Sequence, residues 1–299
     1  MMQLAFSTNA YLKFSFAEAA RRLAEIGYTG IEIMADVPHA WPACLLEEQK
    51  QGIRRALAEN RLAISNINAF MMNAISDPRQ RYWHPSWIEP DRHYRQIRID
   101  HTCRSLTLAR ELGAACITTE PGGPVEAGGS WSAALKLFVE MLKPVAEHAE
   151  KEGVLLLIEP EPGLLIETAD QFLELMEHVD SPAIGLNFDI GHFYCVGDEP
   201  APTVHRLAPY IRHFHLEDIA ATRVHHHLIP GEGAIDFAAT FDAIRQIDYK
   251  GWITIELYPY VDNPDAAART ALERVRKILS SNAQKRGRDP LRSDLDTTD

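Results

Sequence analysis

The chain contains no uninterrupted apolar run of 18 residues, about the least that spans a bilayer as a helix, so the sequence predicts no membrane span. Its start, MMQLAFSTNAYLKFSF, lacks a basic lead followed by a long apolar stretch and does not read as a secretory signal. Cysteine is scarce and scattered. Cys44, Cys103, Cys116 and Cys195 form no CxxC pair, which argues for reduced thiols in a cytoplasmic protein rather than a disulfide framework. Dense Lys/Arg runs are missing from the part expected to fold, and the formal net charge is −12. Such a field repels a phosphate backbone, so the expected partner is a small molecule rather than nucleic acid. A Gly-rich nucleotide turn is also missing after the first strand candidate, where the chain reads STNAYLKF. That removes the usual signature of an open, doubly wound sheet.

What is present is a core and an alternation. Apolar residues make up 46% of the chain. Eight short β-rich runs recur, at 4–8, 30–35, 63–68, 116–120, 154–159, 184–189, 211–216 and 252–256. Between them lie amphipathic stretches such as FAEAARRLAEIG, EEQKQGIRRALAENR, HTCRSLTLARELG and SAALKLFVEMLKPVAEHAEKEG. Apolar residues there return at three- and four-residue steps and a glycine or asparagine often marks the stop. Strand and helix alternating eight times predicts an α/β fold closed as a (β/α)8 TIM barrel in a single domain, over about 1–280. The polar stretch 281–299 predicts a frayed tail. The connection from Ala69 to Asp91 is long for a compact barrel, which suggests a functional loop.

A barrel of this kind carries its site at the carboxyl ends of its strands. The fifth strand candidate runs out at Glu159 and the sixth at Asp189, with His192 just past Gly191. The seventh, IRHFHLED, alternates His213 and His215 with apolar residues before Glu217 and Asp218, and the eighth ends at Glu256. Neighbouring strands lie about 4.8 Å apart. Three ionised carboxylates at that spacing repel strongly in a partly dry pocket unless a cation lies among them. Glu159, Asp189, His215 and Glu256 offer three hard oxygens and one imidazole, a set suited to manganese, magnesium or cobalt, with zinc also acceptable.

The pieces LLLIEPEP, NFDIGH, HFHLED and IEL, with HHHLIPGEGAIDF at 225–237, resemble the xylose isomerase-like barrel superfamily over roughly residues 3–280. That group holds sugar epimerases such as D-tagatose 3-epimerase, hydroxypyruvate isomerase, inosose and dehydroshikimate dehydratases, and endonuclease IV. The resemblance implies one divalent cation, most readily manganese, held by Glu159, Asp189, His215 and Glu256. It also implies that Glu159 and Glu256 act as the two catalytic bases, passing a proton through an enediolate of a sugar, sugar phosphate or cyclitol. His192 is the substrate-contacting histidine of the resemblance. His227 matches the histidine of its His-x-x-x-Gly-x-Gly segment and is expected to touch substrate or a second metal. The rival within the group is a dehydratase of a keto-polyol or keto-acid. The endonuclease IV branch fits less well, because Asn66, Asn68 and Glu120 stand where its extra histidine ligands are expected, and its Asp-x-His reads His225-His226-His227. Relatives often pair, so a homo-oligomer is compatible with the resemblance.

Other residues complete the expectation. Glu161 is expected to bind a substrate hydroxyl, and His213, on the same strand face as His215, is expected to support it from behind or to serve packing alone. Tyr11, Phe14, His39, Trp41, Trp83 and Trp87 are candidates to wall the pocket against water, Trp83 is expected to bind substrate, and loop packing is the plainer alternative for each. The run GGPVEAGGSW (122–131) offers backbone N–H groups at a helix start to a phosphate or carboxylate, unless it is simply a flexible loop.

Overall fold

A computed structural model describes residues 2–70 and 83–286. Along the chain come β1 (Gln3–Ser7), α1 (Phe16–Ile26), β2 (Gly30–Met34), α2 (Glu47–Asn60), β3 (Ala63–Asn68), α3 (Arg92–Leu112), β4 (Cys116–Thr119) and α4 (Trp131–Glu152). There follow β5 (Leu155–Ile158), α5 (Ala169–His178), β6 (Ile184–Asp189), α6 (Ile190–Val196), α7 (Pro200–Leu207), β7 (Ile211–Leu216), α8 (Phe237–Gln246), β8 (Trp252–Ile255) and α9 (Pro264–Arg286). Each strand pairs in parallel with its sequence neighbours. β8 returns to β1 through Gln3–Trp252, Leu4–Ile253, Ala5–Thr254 and Phe6–Ile255, closing the ring. This is the single-domain (β/α)8 barrel that the alternation predicts.

Strands covered on both faces need apolar residues at successive positions. β2, β4 and β6 are accordingly buried along their whole length. The helices use the 3.6-residue period instead. In α1 the buried set is Phe16, Ala19, Ala20 and Leu23, one stripe facing the barrel. Ser15 Oγ accepts from the Glu18 N–H at 3.3 Å to start that helix. Gly27 ends it in the left-handed region, φ 109°, where a side chain is strained.

Two register shifts matter for the site. One falls between Ile31 and Glu32 in the β2–β3 pairing, the other between Leu186 and Asn187 in the β6–β7 pairing. Both lie where the barrel interior changes from apolar to polar. An extra residue there re-aims the side chains that follow.

Several boundaries differ from expectation. The helix expected from His101 begins at Arg92, and α9 runs past 280 to Arg286. The rest of the expected tail, 287–299, lies outside the described residues, as do 71–82 of the long connection. The flanks of that connection are drawn together by Arg98, which is fully buried. Its guanidinium donates to the carbonyls of Ala69, Phe70, Trp83 and Pro85 at 2.7–3.3 Å. Among the described residues no helix is long and apolar enough to cross a membrane.

Candidate metal and proton-transfer site

Side chains on a strand alternate between faces, and the inward set on each strand builds the site in layers. Asn187 and Asp189 on β6 pair in register with His213 and His215 on β7, and His215 pairs with Thr254 on β8. Glu159 and Glu256 lie one residue beyond β5 and β8. One ligand atom from each of Glu159, Asp189, His215 and Glu256 falls within 4.8 Å of all the others, and all four residues are buried. The structure thus brings together the four side chains singled out in the sequence. His215 Nδ1 lies 2.9 Å from Glu159 Oε1, 3.7 Å from Glu256 Oε2 and 3.9 Å from Asp189 Oδ2.

The lower layer holds these groups in place. Asn187 Nδ2 donates to Glu159 Oε2 at 3.0 Å, while Asn187 Oδ1 lies 2.9 Å from His213 Nδ1 and His213 Nε2 lies 2.9 Å from Thr254 Oγ1. His213 therefore supports the site from beneath. Asn9 and Asn68 each donate to Glu256 Oε1, at 2.8 and 3.2 Å. Burial and the nearby carboxylates raise the proton affinity of Glu159 and Glu256, although His215 opposes this. Burial works against a charge on His215 too, but Glu159, Glu32 and Glu256 outweigh it and raise its pKa well above the usual value.

The donor set fits a divalent cation. Asp189 Oδ2 is buried with no hydrogen-bond partner among the described residues. Several buried carboxylates around one imidazole form a set that a single doubly charged ion neutralises. Three oxygens and one nitrogen leave room in a larger coordination shell for substrate oxygens.

Above this layer opens a cavity of about 260 Å³, lined by Asn9, Leu12, Asn68, Phe70, Glu159, Glu161, His192, His225, His227, Glu256 and Tyr258. His192, His227 and Glu161 are thus brought to the same opening as Glu159 and Glu256. His192 Nδ1 donates to the Pro160 carbonyl at 2.9 Å and His227 Nδ1 to the Glu256 carbonyl at 2.9 Å. His225 Nδ1 lies 3.3 Å from Glu161 Oε1, and His226 is exposed. Burial lowers the pKa of His192 and His225 to about 3 and holds that of His227 well below its usual value, so these rings are neutral near pH 7.

The local fold explains two motifs. Asp189 caps α6, its Oδ1 accepting from the His192 N–H at 2.7 Å. The residues from Ile190 to His192 are therefore the first turn of a helix. Gly191 serves another purpose, since a Cβ there would come within 1.8 Å of Glu217 Oε1. In PGEGAID, the Asp218 carboxylate accepts from the N–H groups of Gly231, Gly233 and Ile235 at 2.8–3.2 Å. A Cβ at Gly233 would approach Asp218 Oδ1 to 2.3 Å. This knot returns the chain so that Leu228 bridges Asp218 and carries His225 and His227 over the cavity.

Most of the loop aromatics are placed elsewhere. Trp83 lines a separate cavity of about 440 Å³ with Ile88, Val125 and Leu137, so it is not among the residues around Glu159 and Glu256. Trp87 is fully buried and its ring lies 5.8 Å from that of Phe138. Tyr11 donates to Asp265 Oδ1 at 3.0 Å, His39 Nε2 lies 3.2 Å from the Tyr11 carbonyl, Phe14 packs under Arg22 and Trp41 stacks on His101. The glycine run at 122–131 belongs to the second cavity, and its Gly122 N–H is taken by Glu120 at 2.7 Å. Leu12, Phe70, Asn9 and Tyr258 stand at the cavity instead, and sequence reading missed their part in it. Glu32, buried beside the quartet, was also missed, and Glu217, noted at the end of the seventh strand, is buried there too.

The model of the xylose isomerase-like TIM barrel family matches residues 20–278. The chain belongs to that family. A fructoselysine 3-epimerase of Escherichia coli O157:H7 is 26% identical over 288 residues, covering 93% of this chain and 98% of that protein. An inosose dehydratase of Geobacillus kaustophilus is 30% identical over 160 residues, covering 48% of this chain and 52% of that protein. The chain thus matches only about half the length of these dehydratases. Among solved structures, the IOLI protein with a binding zinc atom has a TM-score of 0.76 at 20% identity, covering 94% of this chain and 99% of that one. The two relatives named by activity are enzymes, an epimerase and a dehydratase.

Proposed function

We propose that the chain is a divalent-cation-dependent epimerase or isomerase of a sugar or related polyol ketone. The observation that carries this is the convergence of Glu159 and Glu256 on the same buried imidazole at the floor of one cavity. Glu159, Asp189, His215 and Glu256 would hold the cation, manganese being the best match to the oxygen-rich set. When bound, it supplies polarisation of a carbonyl and acidifies the adjacent C–H.

The remaining work falls to the chain. One of Glu159 and Glu256 removes the proton and the other returns it, giving epimer or isomer by way of the enediolate. Burial and the neighbouring carboxylates raise the proton affinity of both groups, which suits carboxyls that take up a proton and give it back. Asn9 and Asn68 hold Glu256, and Asn187 holds Glu159, so each base is fixed before substrate arrives. His192, His227 and Glu161 are placed to bind substrate oxygens, and Leu12, Phe70 and Tyr258 cover the opening against water. A second reading, dehydration of a keto-polyol, is supported by the 30% identity to the inosose dehydratase. It uses the same proton removal but expels a hydroxyl.

The test is incubation of the Mn²⁺-loaded protein with a panel of ketoses and inososes in deuterium oxide, read by mass. Gain of one deuterium without loss of water supports epimerisation or isomerisation, while loss of water selects dehydration. Glu159→Gln and Glu256→Gln should each slow exchange by about 10²–10⁴-fold while keeping the fold. Full activity in both variants would contradict the two-base scheme.

A further inference from the structure

Glu32 stands in the middle of β2 as the one ionisable residue of GIEIM, fully buried. β2 and β7 are separated by β1 and β8 in the ring, so the contact between Glu32 and His215 crosses the barrel interior. Glu32 Oε2 lies 2.6 Å from His215 Nε2. Asn66 Nδ2 donates to the same oxygen at 2.8 Å and also reaches Thr118 Oγ1 at 2.7 Å, which fixes the carboxylate. The register shift beside it leaves Ser65 as an extra residue on β3 and sets Asn66 opposite Glu32.

The two faces of the His215 ring therefore differ. Nε2 faces a carboxylate that lies outside the quartet. Nδ1 faces Glu159, Glu256 and Asp189 and also lies 3.1 Å from Asn187 Nδ2, which can only donate. An imidazole presents one nitrogen to a cation and its other N–H to a partner, and that partner fixes the tautomer and the ring orientation.

We propose that Glu32 is a positioning residue for the cation: it holds the proton of His215 on Nε2 and so turns the Nδ1 lone pair toward Glu159, Asp189 and Glu256. The inference rests on the cation reading given above. Glu32 is not among the residues that line the cavity. Its charge also makes the Nδ1 lone pair more basic, so its loss weakens the grip on the ion without removing any ligand.

The test uses Zn²⁺ alone as probe, because it is diamagnetic. Calorimetric titration of the chelator-stripped full chain compares wild type, Glu32→Gln and Glu32→Ala. Nitrogen-15 spectra of the ring then report which nitrogen of His215 carries the proton in the loaded protein. Glu32→Ala should weaken Zn²⁺ binding about 10–100-fold at unchanged stoichiometry. Glu32→Gln, which keeps an oxygen to accept from Nε2–H, should recover part of that loss and the wild-type tautomer. Equal affinity in all three proteins, or His215 loaded through Nε2, overturns the inference alone. A lower stoichiometry in Glu32→Ala overturns it too, by making Glu32 a ligand with His213 and His215. Failure of the wild type to bind Zn²⁺ overturns both the inference and the cation reading beneath it.

Discussion

Gly191→Ala is a single methyl with a cost that can be worked from the structure. The added Cβ would lie 1.8 Å from Glu217 Oε1 and 2.9 Å from both Glu217 Cδ and Ile219 Cγ1. Ordinary van der Waals contact begins near 3.4 Å, so the carboxylate would have to move by about 1.6 Å (3.4 minus 1.8). Glu217 is fully buried beside Asp189, and the packed interior around it resists the shift. Overpacking of this kind costs about 1–3 kcal/mol, a fall in Tm of roughly 2–5 °C for a chain of this size. The assay is thermal and urea unfolding of Gly191→Ala, Glu217→Ala and the double variant in the presence of chelator. Removing the Glu217 side chain frees the space, so in that background Gly191→Ala should cost less than about 1 kcal/mol, the contact with Ile219 being all that is left. An equal cost in both backgrounds would refute the close approach as the reason for a glycine here.

Two further outcomes follow from the burial of histidines. His101 is buried against Trp41, and burial, then the Arg98 charge, lowers its pKa to about 3. The unfolded chain takes up a proton below about 6.5 and the folded chain does not, so this contribution is complete above that pH and is lost as the pH falls toward 3, at about 1.4 kcal/mol per unit. Between pH 7 and pH 5 wild type should therefore lose about 2 kcal/mol more stability than His101→Phe in urea unfolding; equal losses would contradict it. His192→Ala should lower turnover at least tenfold, about the effect of one lost substrate contact, with cation content unchanged; loss of the ion would show that His192 is a ligand.

The barrel was legible because its signal is repeated. Eight apolar runs with helical patterns between them leave little freedom of topology, and strand ends at Glu159, Asp189 and Glu256 follow from period and polarity alone. The convergence of the quartet was legible for the same reason, since parallel strands of one ring aim their carboxyl ends to one side. Glu32 was hidden because it comes from the opposite side of the ring, and only closure brings it to His215. A charge inside GIEIM, on the inward parity of the strand, was the available signal. The start of α6 was hidden by Gly191, a poor helix former. Its presence is required by Glu217 at a distance of 26 positions, which no local pattern reveals. The aromatics were misplaced because a loop position does not fix direction. Trp83 and Trp87 turn toward α4, while Leu12 and Phe70 take the cavity.

The central claim is that Glu159, Asp189, His215 and Glu256 hold one divalent ion at the floor of the cavity. Crystals soaked in Mn²⁺ and measured at the manganese absorption edge test it most directly. The account predicts one anomalous peak within about 2.0–2.4 Å of three carboxylate oxygens and His215 Nδ1. A map with no peak there at millimolar Mn²⁺, or one bound only by surface carboxylates, would contradict it.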